Sequence, residues 1–110
     1  MTTICIRKNR SDDHYSEFII EGHSGFAKAG KDIVCAAISI LTTNTINSID
    51  ELCDDRIDVT ADEKKAIMRC TFLEVPSKEA TLLVDSMLIG LRQIQEQYDS
   101  RYIDIKFEEV

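Results

Sequence analysis

Apolar residues in this chain shift from every second position to helical spacing and back, a succession that restricts the fold to a sheet covered by helices. Ile4 and Ile6 alternate with Cys5 and Arg7, and Phe18 and Ile20 with Ile19 and Glu21, the pattern of strands with one better buried face. The polar run Asn9 to His14 joins them as a hairpin. Asp32 opens an apolar segment through Ile46, with Ala36, Ala37, Ile40 and Leu41 at helical spacing. It is apolar almost all round, so a central helix buried over much of its surface is expected. Arg56 to Thr60 and Ala66 to Val75 read as a second hairpin across the charged turn Asp62 to Lys65. Ser77, following Pro76, caps a second helix with Ala80, Leu83, Met87, Leu88, Leu91 and Ile94 on one stripe. Gly90 inside it costs about 1 kcal/mol relative to alanine, which points to close approach of a neighbouring backbone. Strict alternation of Ile103, Ile105 and Phe107 makes the last segment a strand. The order is ββαββαβ, an α+β two-layer sandwich: a mainly antiparallel sheet with two helices on one face.

A chain of 110 residues, 44% of them hydrophobic, builds one core and has no room for two, so residues 1–110 are read as a single domain. Thirteen basic against twenty acidic side chains give a formal charge of −7, which repels phosphate backbones and argues against direct nucleic-acid binding. The same charge favours encounter with a basic partner. The first ten residues hold no apolar signal core, so a cytoplasmic location is expected. The strongly apolar stretch Ile33 to Leu41 is short of the roughly 20 residues that span a bilayer, so no membrane span is expected.

Cysteines at 5, 35, 53 and 70 form no C-x-x-C pair, and His14 and His23 complete no zinc spacing, so no metal and no cofactor is called. Four free thiols are expected in a reducing compartment. An isolated cysteine in an apolar segment is usually a small buried hydrophobe, the reading given to Cys5, Cys53 and Cys70.

Cys35 differs by position. With Asp32 as N-cap it is the third helical residue, where unpaired backbone N–H groups collect. Thiols at helix N-termini titrate below the free value of about 8.5, as a nucleophile requires. Asp32 either caps the helix or orients a histidine, and its charge opposes ionisation of the thiol. A nucleophilic thiol also needs a base that receives its proton and returns it to the leaving group. His14 lies in a polar turn; His23 lies at a strand end between glycines and is the better candidate. Residues Gly22 to Gly30, with three glycines and no clear period, read as a mobile loop near substrate, with Gly22, Ser24 and Gly25 closest to the histidine. Ser39 falls one helical turn beyond Cys35, where it either supports the site or bonds back to a carbonyl.

The run Gly22-His23-Ser24-Gly25, then Gly30-Lys31-Asp32-Ile33-Val34-Cys35-Ala36-Ala37-Ile38-Ser39, closely resembles the ribosomal-processing cysteine protease (Prp) family over essentially the whole chain. Ser24 departs from the expected alanine and adds a hydroxyl beside the proposed base. The resemblance implies a Cys35–His23 dyad, a homodimer of small α+β subunits, and removal of a short N-terminal extension from a large-subunit ribosomal protein precursor. The alternative is a non-catalytic, ribosome-associated binding module whose acidic surface docks a basic ribosomal protein while Cys35 merely packs.

Overall fold

The computed structural model describes residues 1–28 and 31–110. Strands β1 (Thr2–Lys8) and β2 (Tyr15–Glu21) are followed by helix α1 (Ile33–Leu52), strands β3 (Ile57–Asp62) and β4 (Ile67–Phe72), helix α2 (Lys78–Tyr98) and strand β5 (Ile103–Glu109). The expected ββαββαβ order holds. One sheet runs β3-β4-β2-β1-β5. Both hairpins form, although β3 runs on through Asp62 and β4 ends at Phe72, short of the expected Val75; β2 pairs antiparallel with β4, and β5 lies parallel to β1, so the sheet is mixed but mainly antiparallel.

Register explains the two-layer build. Ile4 faces Ile20 and Ile105 across the sheet, Ile6 faces Phe18, and Phe18 faces Cys70, so these side chains share one face. Ile4, Ile6, Phe18 and Cys70 form a single buried cluster with Val34, Ile38, Ile46 and Ile49 of α1 and Val84, Met87, Leu88 and Leu91 of α2, and the half-buried Ile20 and Ile105 pack against it. The other face carries Arg7, whose Nη1 donates to Glu17 Oε2 at 2.8 Å, and Arg69, which pairs with the same carboxylate.

Four sequence readings are corrected. Helix α1 does not stop at Ile46 but continues to Leu52, because Ile46 and Ile49 remain buried at helical spacing while Asn47, Asp50 and Glu51 occupy the wet side. It is not apolar all round in effect: Ile33 and Ile40 are 53% and 66% exposed, so only one face enters the core. At 20 residues it is long and apolar enough to cross a membrane, a length the shorter Ile33 to Leu41 reading missed. Its buried face nevertheless packs into the cluster shared with the sheet and α2. Finally, Gly90 lets a side chain approach, not a backbone. A methyl group there would lie 2.8 Å from Leu41 Cδ1 of α1.

Helix starts follow the capping residues that the sequence displays. The Ser77 hydroxyl accepts from Ala80 N–H at 3.0 Å, and Asp55 in turn accepts from both Ser77 Oγ and Ser77 N–H. Asp32 adopts extended backbone and its side chain accepts from Cys35 N–H.

Candidate active site

The site lies where β2 ends, the connecting loop turns, and α1 begins. Gly22 has φ of +92°, and a Cβ there would lie 2.6 Å from the Met1 carbonyl oxygen. Only glycine meets both conditions, and the turn it makes delivers His23 and Ser24 to opposite sides of the chain. His23 is exposed while Ser24 is buried. Gly22→Ala is expected to destabilise the fold by about 2 kcal/mol through strain and displacement of the amino-terminal strand, as a denaturant titration would show.

Cys35 is the third residue of α1, as the sequence placed it. Asp32 resolves its two candidate roles in favour of capping. Its Oδ1 accepts from Cys35 N–H at 2.9 Å, and its Oδ2 accepts from Ser24 Oγ at 2.6 Å, Phe26 N–H at 3.0 Å and Ala27 N–H at 3.3 Å. Burial works to raise the carboxyl's pKa, but the donated hydrogen bonds from Ser24, Cys35 and Ala27 outweigh it, and the group is held well below the usual carboxylate range. The carboxylate therefore ties the loop to the helix start. Because Cys35 N–H is committed to Asp32, it is not a free donor for a reaction oxyanion.

Ser24 was expected beside the histidine; its hydroxyl instead turns toward the sulfur. Its N–H donates to Cys35 Sγ at 3.2 Å and its Oγ lies 3.1 Å from the same atom. The described part of the loop has a second fixing point that sequence reasoning missed. Phe26 packs edge-on against Tyr98 at the end of α2 and Tyr102 before β5, with ring centroids 5.5 and 5.2 Å apart. Its single aromatic ring in a glycine-containing loop was the available signal. Gly30, the third of the loop glycines, lies outside the described residues.

Two adjoining clefts meet at this point. One, of about 590 Å³, is lined by His23, Gly25, Ala27, Asp32, Cys35 and Ser39 among others. The second, of about 230 Å³, shares His23, Cys35 and Ser39 and continues past Gly22 to Thr42 and Met68. Cys35 and His23, far from adjacent in sequence, thus border the same open groove. Ser39 lies beside them, and the back-bond in α1 comes from a neighbour instead, with Thr42 Oγ1 donating to the carbonyls of Ile38 and Ser39.

The other thiols are poorly suited to nucleophilic work. Burial, then the neighbouring Glu108, raises the pKa of Cys5; burial, then Asp55, raises Cys53; burial pushes fully enclosed Cys70 up to about 12. All four cysteines are free. Cys35 is the one that lines the groove, at a helix start, with a histidine lining the same two clefts.

Known proteins carry the same architecture. The model of the cysteine protease Prp family matches residues 1–104. The ribosomal processing cysteine protease Prp of Staphylococcus aureus is 29% identical over 99 residues, covering 90% of this chain and 92% of that protein. A crystal structure of the S. aureus protease with a covalently linked product peptide superposes with a TM-score of 0.90 at 28% identity, covering 97% and 99% of the two chains. A second, with a substrate peptide, gives 0.85 at 27% identity, again covering 97% and 99%. SMU.848 from Streptococcus mutans shares the fold, with a TM-score of 0.83 at 23% identity over all of this chain and 96% of its own. By its sequence over nearly the full length and by its fold, the chain belongs to the cysteine protease Prp family.

Proposed function

We propose that this chain is a cytoplasmic endopeptidase that removes the N-terminal extension of a large-subunit ribosomal protein precursor, using Cys35 as nucleophile and His23 as general acid and base. The observation that carries the reading is the shared groove, with a thiol at a helix start and an imidazole bordering two adjoining clefts that have His23, Cys35 and Ser39 in common. The S. aureus relative, solved with substrate and product peptides, supports it.

The chemistry follows from the groups present. His23 takes the Cys35 thiol proton as Sγ attacks the scissile carbonyl carbon, giving a tetrahedral intermediate. The C–N bond then breaks as the imidazolium returns that proton to the departing amine, leaving a thioester on Cys35. Water attacks the thioester with His23 as base, the S–C bond breaks, and the proton returns to sulfur. Asp32 sets the helix start and the loop from which both groups project, and stays ionised through the cycle because its oxygens already accept four donors. The net charge of −7 favours encounter with a basic ribosomal protein.

The chain works as a homodimer in this reading. Ile33 with Ile40 on α1, and Leu82 with Ile89 on α2, form exposed aliphatic pairs one heptad apart, and burying them would remove much of the exposed apolar surface of both helices. The four free thiols suit a reducing compartment.

A peptide spanning the extension junction of the host's own ribosomal protein tests the assignment. Mass spectrometry is expected to find one cut at the mature N-terminus. An intact peptide after incubation with folded enzyme would favour the binding-module reading, in which the precursor binds without being cut.

A further inference from the structure

In the structure Ser24 occupies the space between the two acidic groups of the site. It is only 2% exposed. Its Oγ lies 2.6 Å from Asp32 Oδ2 and 3.1 Å from Cys35 Sγ, while its own N–H reaches the sulfur at 3.2 Å. A serine hydroxyl carries one proton. The short contact to an ionised carboxylate claims that proton, since a charge-assisted O–H···O⁻ bond is about twice as strong as a neutral one. What then faces Cys35 is a lone pair, matched to an S–H donor and mismatched to a thiolate.

We propose that Ser24 is a positioning residue that seats the resting nucleophile as a thiol through a proton chain, Cys35 Sγ–H to Ser24 Oγ–H to Asp32 Oδ2. This rests on Cys35 being the nucleophile. Donor counting sets the direction. With the sulfur protonated, both contacts of the hydroxyl are made. With the sulfur ionised, one proton faces two anions, and either the carboxylate or the thiolate goes without. The thiol is therefore held in one orientation until His23 removes its proton, and Ser24 N–H keeps the sulfur in place afterwards. His23 and Asp32 are the titratable groups that face Cys35 among the described residues. The rest of the two clefts, drawn from β1, β2, β4, the loop and α1, presents uncharged residues such as Thr2, Ile20, Ile38, Ser39 and Met68.

The test is the rate of iodoacetamide alkylation at Cys35 against pH, read by mass spectrometry of the Cys35 peptide. Ser24→Ala keeps the N–H donor and deletes the hydroxyl. It is expected to move the alkylation midpoint to lower pH and to raise the rate at neutral pH about threefold, the scale of one weak hydrogen bond. His23 is common to both proteins, so the difference reports on Ser24. Asparagine caps a helix as well as aspartate, and in an Asp32→Asn background the hydroxyl proton is released to the sulfur, so adding Ser24→Ala there is expected to move the midpoint upward. Reversal of sign between the two backgrounds is the signature of the chain. An unchanged midpoint, or the same direction in both backgrounds, overturns the proposal. Alkylation reports on the sulfur whether or not peptide is cut. Such a result in a protein that Cys35→Ala silences therefore removes only the assignment of Ser24, whereas cleavage by Cys35→Ala removes the nucleophile itself.

Discussion

Replacing Cys35 with alanine is expected to lower peptide cleavage by on the order of 10⁴-fold or more, the scale seen when a covalent nucleophile is deleted. The fold should survive. Cys35 is partly exposed at a helix start, alanine is a strong helix former, and the lost side-chain contacts are those from Ser24, so the stability change should stay near 1 kcal/mol. Circular dichroism and a denaturant titration alongside the cleavage assay separate the two effects. Cys70→Ala, by contrast, empties space inside the core cluster without touching the groove, and should weaken the fold while leaving cleavage by the folded fraction unchanged.

The second large effect is on Asp32. Its carboxylate is simultaneously the N-cap of α1 and the acceptor for three loop donors, so Asp32→Ala leaves Cys35 N–H, Ser24 Oγ, Phe26 N–H and Ala27 N–H without their partner. Loss of a cap and of acceptors for partly buried donors is expected to cost about 3 kcal/mol. Cleavage should fall with it, because the same bonds fix the loop that carries His23. Asp32→Asn retains an acceptor for the cap and should cost less. The carboxyl's pKa is depressed in the folded state, so its contribution is fully present above the unfolded value of about 3.9 and is lost as pH falls below it. Acid unfolding curves of the wild type and Asp32→Asn should therefore converge as pH falls through this range, while remaining apart at neutral pH.

Much of this arrangement was legible in the chain because local rules agree with the global fold. Alternation at Ile4 and Ile6, Phe18 and Ile20, and Ile103 and Ile105 marks core-facing strand positions, while Phe107, at the same spacing, is exposed; Asp32 and Ser77 announce helix starts that the structure displays at those residues. The end of α1 was not legible, because Asn47, Asp50 and Glu51 look like a stop when they are only the wet side of a helix whose Ile46 and Ile49 stay buried. Nor could periodicity reveal that β5 lies parallel to β1, since spacing reports burial and not partner.

At the site, residue types and the helix-start position singled out Cys35, and glycines singled out His23. What the sequence did not reveal was the direction of each side chain. Ser24 counts as one more polar loop residue until the turn at Gly22 sends His23 out and Ser24 in, placing the hydroxyl beside the sulfur instead of beside the imidazole. The anchoring of the loop by Phe26 on Tyr98 and Tyr102 likewise depends on elements far away in the chain meeting at one corner.

The most direct measurement is an acid quench of the enzyme during turnover of the junction peptide, followed by tandem mass spectrometry of the protein. An acyl-peptide on Cys35, absent when His23 and Cys35 are both replaced by alanine, is the expected result. Cleavage accompanied by an adduct on any other residue, or persisting in Cys35→Ala, would contradict it.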